Sequence, residues 1–179
     1  MRSNLLLAAV LPLLVAHTAL AQAKPEVGAE FKPFKTFGVA GQFNGAEVEL
    51  AKPVEHPQVY LFVAADKFDR PTARYIKTLD NAILKGIEGV NAIDAYAVWL
   101  TDDAQASKDY LPKAHQSLRL GQVSLAVFEG PKQGPDGVGI DPDAHLTVVL
   151  VRNGKITASF AYASTNETDV PELIRAIKK

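Results

Sequence analysis

Cysteine is absent from all 179 residues. Thiol–disulfide exchange requires a thiolate to attack sulfur, and thiol peroxidase chemistry passes through a sulfenic acid. Neither reaction is open to this chain, and no disulfide can brace it. Methionine is nearly as scarce, with Met1 the sole example, so no soft sulfur ligand is left for a metal. An excess of either charge is also missing. Lys and Arg total 19 against 20 Asp and Glu, for a net charge of −1, and the two signs are interspersed. There is no basic stripe to hold a phosphate backbone, so nucleic acid is not an expected partner. Long hydrophobic runs are lacking too. The longest, Leu5 to Val15, falls well short of the roughly 20 residues that span a bilayer.

What is present is an ordinary globular balance, 47% hydrophobic and 22% charged, at a length that fits one domain. The start reads as an export signal. Arg2 supplies a positive charge, Leu5 to Val15 is apolar apart from Pro12, and Ala19-Leu20-Ala21 is the small-x-small pattern of a cleavage site. We place a signal peptide at residues 1–21, with a mature chain that begins at Gln22 and resides in the periplasm or outside the cell. No Cys follows the apolar run to take a lipid. The mature chain is therefore expected to carry neither a lipid anchor nor a membrane span.

Residues 22–45 form a lead-in rich in Gly, Pro and Phe, expected to wrap over a core, and residues 46–179 form the domain. Glu47 to Leu50 alternates polar and apolar as a half-buried strand does. Gln58 to Ala65 is a continuous β-favouring apolar run that suits a central strand. A helix follows, with Asp69 as cap, Pro71 in its first turn, and Ile76, Leu79, Ile83 and Ile87 at helical spacing. Ala92 to Leu100 reads as a strand. Asp102 and Asp103 precede a second helix that Pro112 should restrict or kink. Ser124 to Phe128 is a short strand. Glu129 to Asp143, with its Gly and Pro, reads as an exposed loop in which Asp136, Asp141 and Asp143 are turn residues. Leu146 to Val151 and Ile156 to Tyr162 flank Asn153-Gly154, a strong hairpin signal. The last helix is expected to be capped by Asp169, with Glu172 reaching back. Asn166-Glu167-Thr168, formally a glycosylation sequon, is read as the approach to that helix. This order predicts an α/β fold with a mixed central sheet and helices on both faces.

Three stretches resemble the redoxin branch of the thioredoxin-like superfamily, which includes the peroxiredoxins. Val27-Gly28, Phe31 and Gly45-Ala46-Glu47-Val48-Glu49-Leu50 are similar to that family's lead-in. Val59 to Ala64 is similar to the strand that delivers its active-site loop. Leu146 to Ile156 is similar to its late hairpin. The resemblance implies a thioredoxin-like three-layer sandwich, a mixed central β-sheet flanked by helices. It also implies that the family's Cys motif would fall at Asp69-Arg70-Pro71-Thr72, with Asp and Thr where the sulfurs would be. The family's proline before the late hairpin is missing, since Leu146 falls about there. The fold carries over and the catalytic residues do not.

The candidate site is thus a degenerate active-site loop of Asp66, Asp69, Arg70, Pro71 and Thr72, with His145 and Leu146 as the late-hairpin positions facing it. Two readings of the acids stand: an acid/base pair with Arg70 as anion clamp, or a capped helix N-terminus where carboxylates are favoured by free amides and the dipole. His56, His115 and His145 show no metal-ligand spacing, so no metal and no cofactor is expected. The functional expectation is a binding or scaffold protein that takes a peptide, a protein or a small anionic ligand in the redoxin groove. A metal-binding or Asp/Arg-based enzyme is the alternative.

Overall fold

Gln58 to Val63 shows no polar–apolar alternation because both of its faces are covered: all six residues are buried. In the computed structural model, which describes residues 25–43 and 45–179, this stretch lies in β3 (Gln58–Ala64), near the middle of a seven-stranded sheet. The other strands are β1 (Phe34–Ala40), β2 (Ala46–Leu50), β4 (Asp94–Leu100), β5 (Val123–Phe128), β6 (Leu146–Arg152) and β7 (Lys155–Tyr162). The helices are α1 (Arg70–Lys85), α2 (Ala104–Leu118) and α3 (Val170–Ile177). Strand order is β2-β1-β5-β4-β3-β6-β7. β3, β4 and β5 run parallel, and every other pairing is antiparallel. The sheet is mixed, as the sequence predicts.

The position of the helices follows from the direction of the crossovers. β3 to β4 and β4 to β5 step the same way along the sheet. Right-handed connections therefore put α1 and α2 on the same face, and α3 joins them. Tyr75, Ile76, Leu79, Leu111, Leu173 and Ile177 all enter one core with Val59, Leu61 and Leu150. Burying side chains of this size stabilises the fold by about 1.5–3 kcal/mol each. The opposite face holds a second core with no helix in it. Phe31, Phe34, Tyr60, Phe62 and Tyr96 meet there, with the Phe31 and Tyr60 rings 4.8 Å apart. The third layer is irregular chain rather than helix on both sides.

Half of that irregular layer is the segment expected to be an exposed loop. Val138 and Ile140 within it are buried and pack into the aromatic core. Gly134 allows this fold-back. Its φ is +76°, and a Cβ there would come within 2.4 Å of the Ile140 side chain. The Gly and Pro residues make a defined path over the sheet instead of a solvated excursion.

The lead-in supplies the rest of the layer and also contributes a strand. β1 is central to the left half of the sheet, pairing with both β2 and β5. Upstream, residues 25–31 line the outer edge of β7. The Gly28 amide donates to the Ile156 carbonyl at 2.8 Å, and the Ile156 amide donates back to Ala29 at 2.9 Å. Ser159 Oγ donates to the Pro25 carbonyl at 2.9 Å. The signal-peptide residues and Gln22 lie outside the described residues.

α2 continues past Pro112 as one helix, and Pro112 offers no amide to the Lys108 carbonyl. One local expectation changes. The cap of α3 sits one turn earlier than expected. Asn166 and Asp169 form the reciprocal capping box around a 3-10 turn (Glu167–Asp169), and Asp169 makes no side-chain cap to α3 itself. The 3-10 turn leads directly into the helix, so the first orphan amides belong to it.

Candidate functional site

α1 starts just after β3 and the short turn that follows it, where Asp69 caps the helix by accepting one of its first free amides. Its Oδ1 accepts from the Thr72 amide at 2.9 Å and from the Thr72 hydroxyl at 2.7 Å. Arg70 and Pro71 follow in the first turn, where a missing N–H costs nothing. The Thr72 hydroxyl also lies 2.8 Å from that of Thr165. A carboxylate only accepts, so Thr72 donates to Asp69 and Thr165 must donate to Thr72. The chain of bonds runs one way, from the approach to α3, through Thr72, to Asp69. Thr72 and Thr165 are both buried.

His145 closes the other side. Its Nδ1 lies 3.7 Å from Asp69 Oδ2, too long for a hydrogen bond but close enough for charge attraction. Its backbone fixes this position: the His145 carbonyl accepts from Ala64 at the end of β3, and its amide donates to Tyr162. Leu146, the next residue, is fully buried in the helical-face core. Burial pushes the Asp69 carboxyl up, but the Thr72 amide, the Thr72 hydroxyl and His145 outweigh that and hold it below the usual carboxylate range.

The structure does not gather the other loop residues around this point. Asp66, at the 3-10 turn Ala65–Lys67, pairs with Lys132 at 3.3 Å, and Lys132 also meets Asp102 at 2.5 Å. Arg70 is exposed and makes no ion pair among the described residues. A general acid/base pair clamped by Arg70 is therefore not assembled in this arrangement. Lys132 gave no local signal in the sequence, since it lies in a loop more than sixty residues from Asp66. Thr165 was equally silent: a lone threonine before a helix has no marked spacing to Thr72.

Two recesses are lined by chain neighbours of the Asp69–His145 pair, Ala144 in one and Phe68 in the other. One, of about 130 Å³, is lined by Phe62, Asp66, Lys132, Ile140, Pro142 and Ala144. The other, of about 240 Å³, lies between α1 and α2 and is lined mainly by Phe68, Ala73, Tyr110, Ala114 and Leu118, with Lys113 and Ser117 beside them. Phe68 sets its edge by packing on Trp99, ring centroids 5.1 Å apart, and Tyr110 stands 47% exposed. His56, His115 and His145 stay apart. His56 pairs with Asp94 at 2.9 Å at the opposite end of the parallel strands, and His115 lies in α2. Among the described residues no group of three or more His, Asp or Glu is placed to hold a metal ion. No helix among them is long and apolar enough to cross a membrane.

The sequence matches no protein-family model and no curated protein. Solved structures do match. A peroxiredoxin-like protein from Aquifex aeolicus superposes with a TM-score of 0.63 at 14% identity, covering 88% of this chain and 90% of its own. AhpC from Mycobacterium bovis gives 0.61 at 16% identity, covering 87% and 92%. The exposed lipoprotein thioredoxin Etrx1 of Streptococcus pneumoniae gives 0.55 at 13% identity, covering 80% and 98%. At such identities the likeness is one of architecture, and it establishes that this cysteine-free chain has the thioredoxin-like fold of peroxiredoxin-like proteins and thioredoxins.

Proposed function

We propose that the protein is an exported redoxin-like binding protein without thiol redox activity, which holds a peptide or protein segment in the groove beside the N-terminus of α1. The observation that carries this reading is the contrast between the two features at that point. The helix terminus, which would otherwise suit an anion, is filled by the chain's own Asp69 carboxylate. The apolar recess of Phe68, Ala73 and Tyr110 next to it is open. A small anion has little to bind at Asp69, whereas an apolar side chain has a place to go. Amphipathic Tyr at the rim, one face apolar and one end wet, suits such a contact.

Panning a random peptide library against the mature protein tests this. Apolar peptides should be selected, and Ala73→Arg, which fills the recess from an accessible position of α1, should abolish their capture while leaving the melting temperature unchanged. Selection of nothing, or of peptides that bind the Ala73→Arg protein equally well, would overturn the reading.

A further inference from the structure

A further cleft lies between the edge strand β7 and α3. Its volume is about 490 Å³, within the range of pockets that hold one small molecule. Ala158 and Phe160 of β7 and Ala176 of α3 make its apolar lining. Glu172, Arg175 and Ala176 fall at i, i+3 and i+4 on α3 and so lie along one stripe, and Lys179 follows just beyond the end of the helix. Arg152 enters from the end of β6.

Charge among the lining side chains of this cleft is uneven: Arg152, Arg175 and Lys179 outnumber the one acidic side chain, Glu172. Arg175 and Lys179 form no ion pair among the described residues, with Glu172 or with any other acid. Arg152 donates one bond to the Ile177 carbonyl, which holds the end of α3 against the sheet. A guanidinium has five N–H donors, so this leaves others for a ligand. The fold needs none of the three cations to be neutralised here by its own acids, yet it sets them around a partly apolar floor.

We propose that this cleft binds small organic anions that carry a carboxylate on an apolar body. The forks of Arg152 and Arg175 match a planar carboxylate in a bidentate way, and Lys179 adds a point charge. Phe160, Ala158 and Ala176 take the apolar body. Inorganic anions lack the part that would fill the floor, and neutral apolar molecules lack the group that the cations attract. The site is separate from the groove beside α1 and does not depend on it.

Benzoate titrated into the mature protein, followed by backbone amide NMR, is the direct test, with benzyl alcohol and sulfate as comparison probes. Benzoate should give saturable shifts at Ala158, Phe160 and Ala176. Benzyl alcohol and sulfate should each bind about tenfold more weakly or worse. The double variant Arg175→Gln, Lys179→Gln should lose benzoate by about tenfold or more at an unchanged melting temperature, while Lys155→Gln binds as the parent does. Arg175→Lys, which keeps the charge and loses the fork, gives a second readout and should also bind more weakly. Shifts absent up to the probe's solubility limit, shifts centred elsewhere, sulfate binding as well as benzoate, or indifference to both Arg175 variants would each overturn the proposal. The Ala73→Arg protein should bind benzoate normally, so failure here and failure of the peptide-binding reading are separable.

Discussion

Oδ1 of Asp80, in the middle of α1, accepts the backbone amide of Gln122 at 2.7 Å. The same carboxylate takes the amides of Gly121 and Val123 and lies 3.2 Å from Lys77. Asp80 is fully buried, and it fastens the first helix to the entry of β5. Asp80→Ala leaves the Val123 amide without a partner in the core and those of Gly121 and Gln122 without one in half-buried surroundings. It should lower unfolding free energy by about 3–5 kcal/mol, measured by urea denaturation. A loss under about 1 kcal/mol would show that the amides find other acceptors.

The same carboxylate sets an acid limit on stability. Burial pushes the Asp80 carboxyl up, and the amides of Val123, Gln122 and Gly121, with Lys77, outweigh it and hold the group below its ordinary value. A carboxyl depressed in the folded state contributes stability that is fully present above its unfolded pKa, about 3.9, and is lost as pH falls through the lower folded value. Urea midpoints should therefore drop steeply below about pH 4. Asp80→Asn should be less stable at neutral pH and show a shallower acid drop. A variant that falls in parallel with the parent would place the effect in another group.

Asp69 acts as a helix cap. Asp69→Ala should lower stability by about 0.5–2 kcal/mol, and Asp69→Ser, which restores an acceptor, should recover most of it. Arg70→Ala should leave stability unchanged, since the side chain is exposed and unpaired among the described residues. Loss of peptide capture in Arg70→Ala with normal melting would instead give this loop a working role.

Thiol chemistry should be wholly absent. Insulin reduction and peroxide consumption by the purified protein are expected at the level of buffer alone, because no residue of the chain supplies a sulfur nucleophile. Turnover that tracks the protein through a second purification column would disprove this.

Export should leave a protein that starts at Gln22. Intact mass of the chain recovered from the cell envelope or medium checks it, and a mass that still includes residues 1–21 would refute the signal-peptide reading.

Most strands were legible because burial leaves a mark on composition: β3, β4 and β6 are apolar runs, and Asn153-Gly154, at φ of +50° and +72°, meets the turn that joins β6 to β7. β1 was not legible. Phe34 and Thr36 do alternate with exposed Lys35, but the Gly and Pro around them mask the period. Asp69 could be read as a cap from its place before Pro71, and His145 as the position facing it. Thr165 and Lys132 could not, because their partners lie 93 and 66 residues away and only the finished sheet brings them together. Asp80 was hidden for another reason. On the helix it follows Leu79 like any polar residue at a boundary, and nothing local says that three amides from another element wait above it.

The bond from Ser159 to Pro25 joins positions 134 residues apart. Cover for the outer margin of β7 therefore comes from a segment far earlier in the chain. Contacts of such long separation form slowly. Until they form, an unpaired strand can recruit a like strand from a neighbouring molecule. Residues 25–31 are then a guard that arrives late. Removing residues 25–30, which leaves Phe31 in the aromatic core, should yield a protein that folds its core and still self-associates, through β7, in a concentration-dependent way.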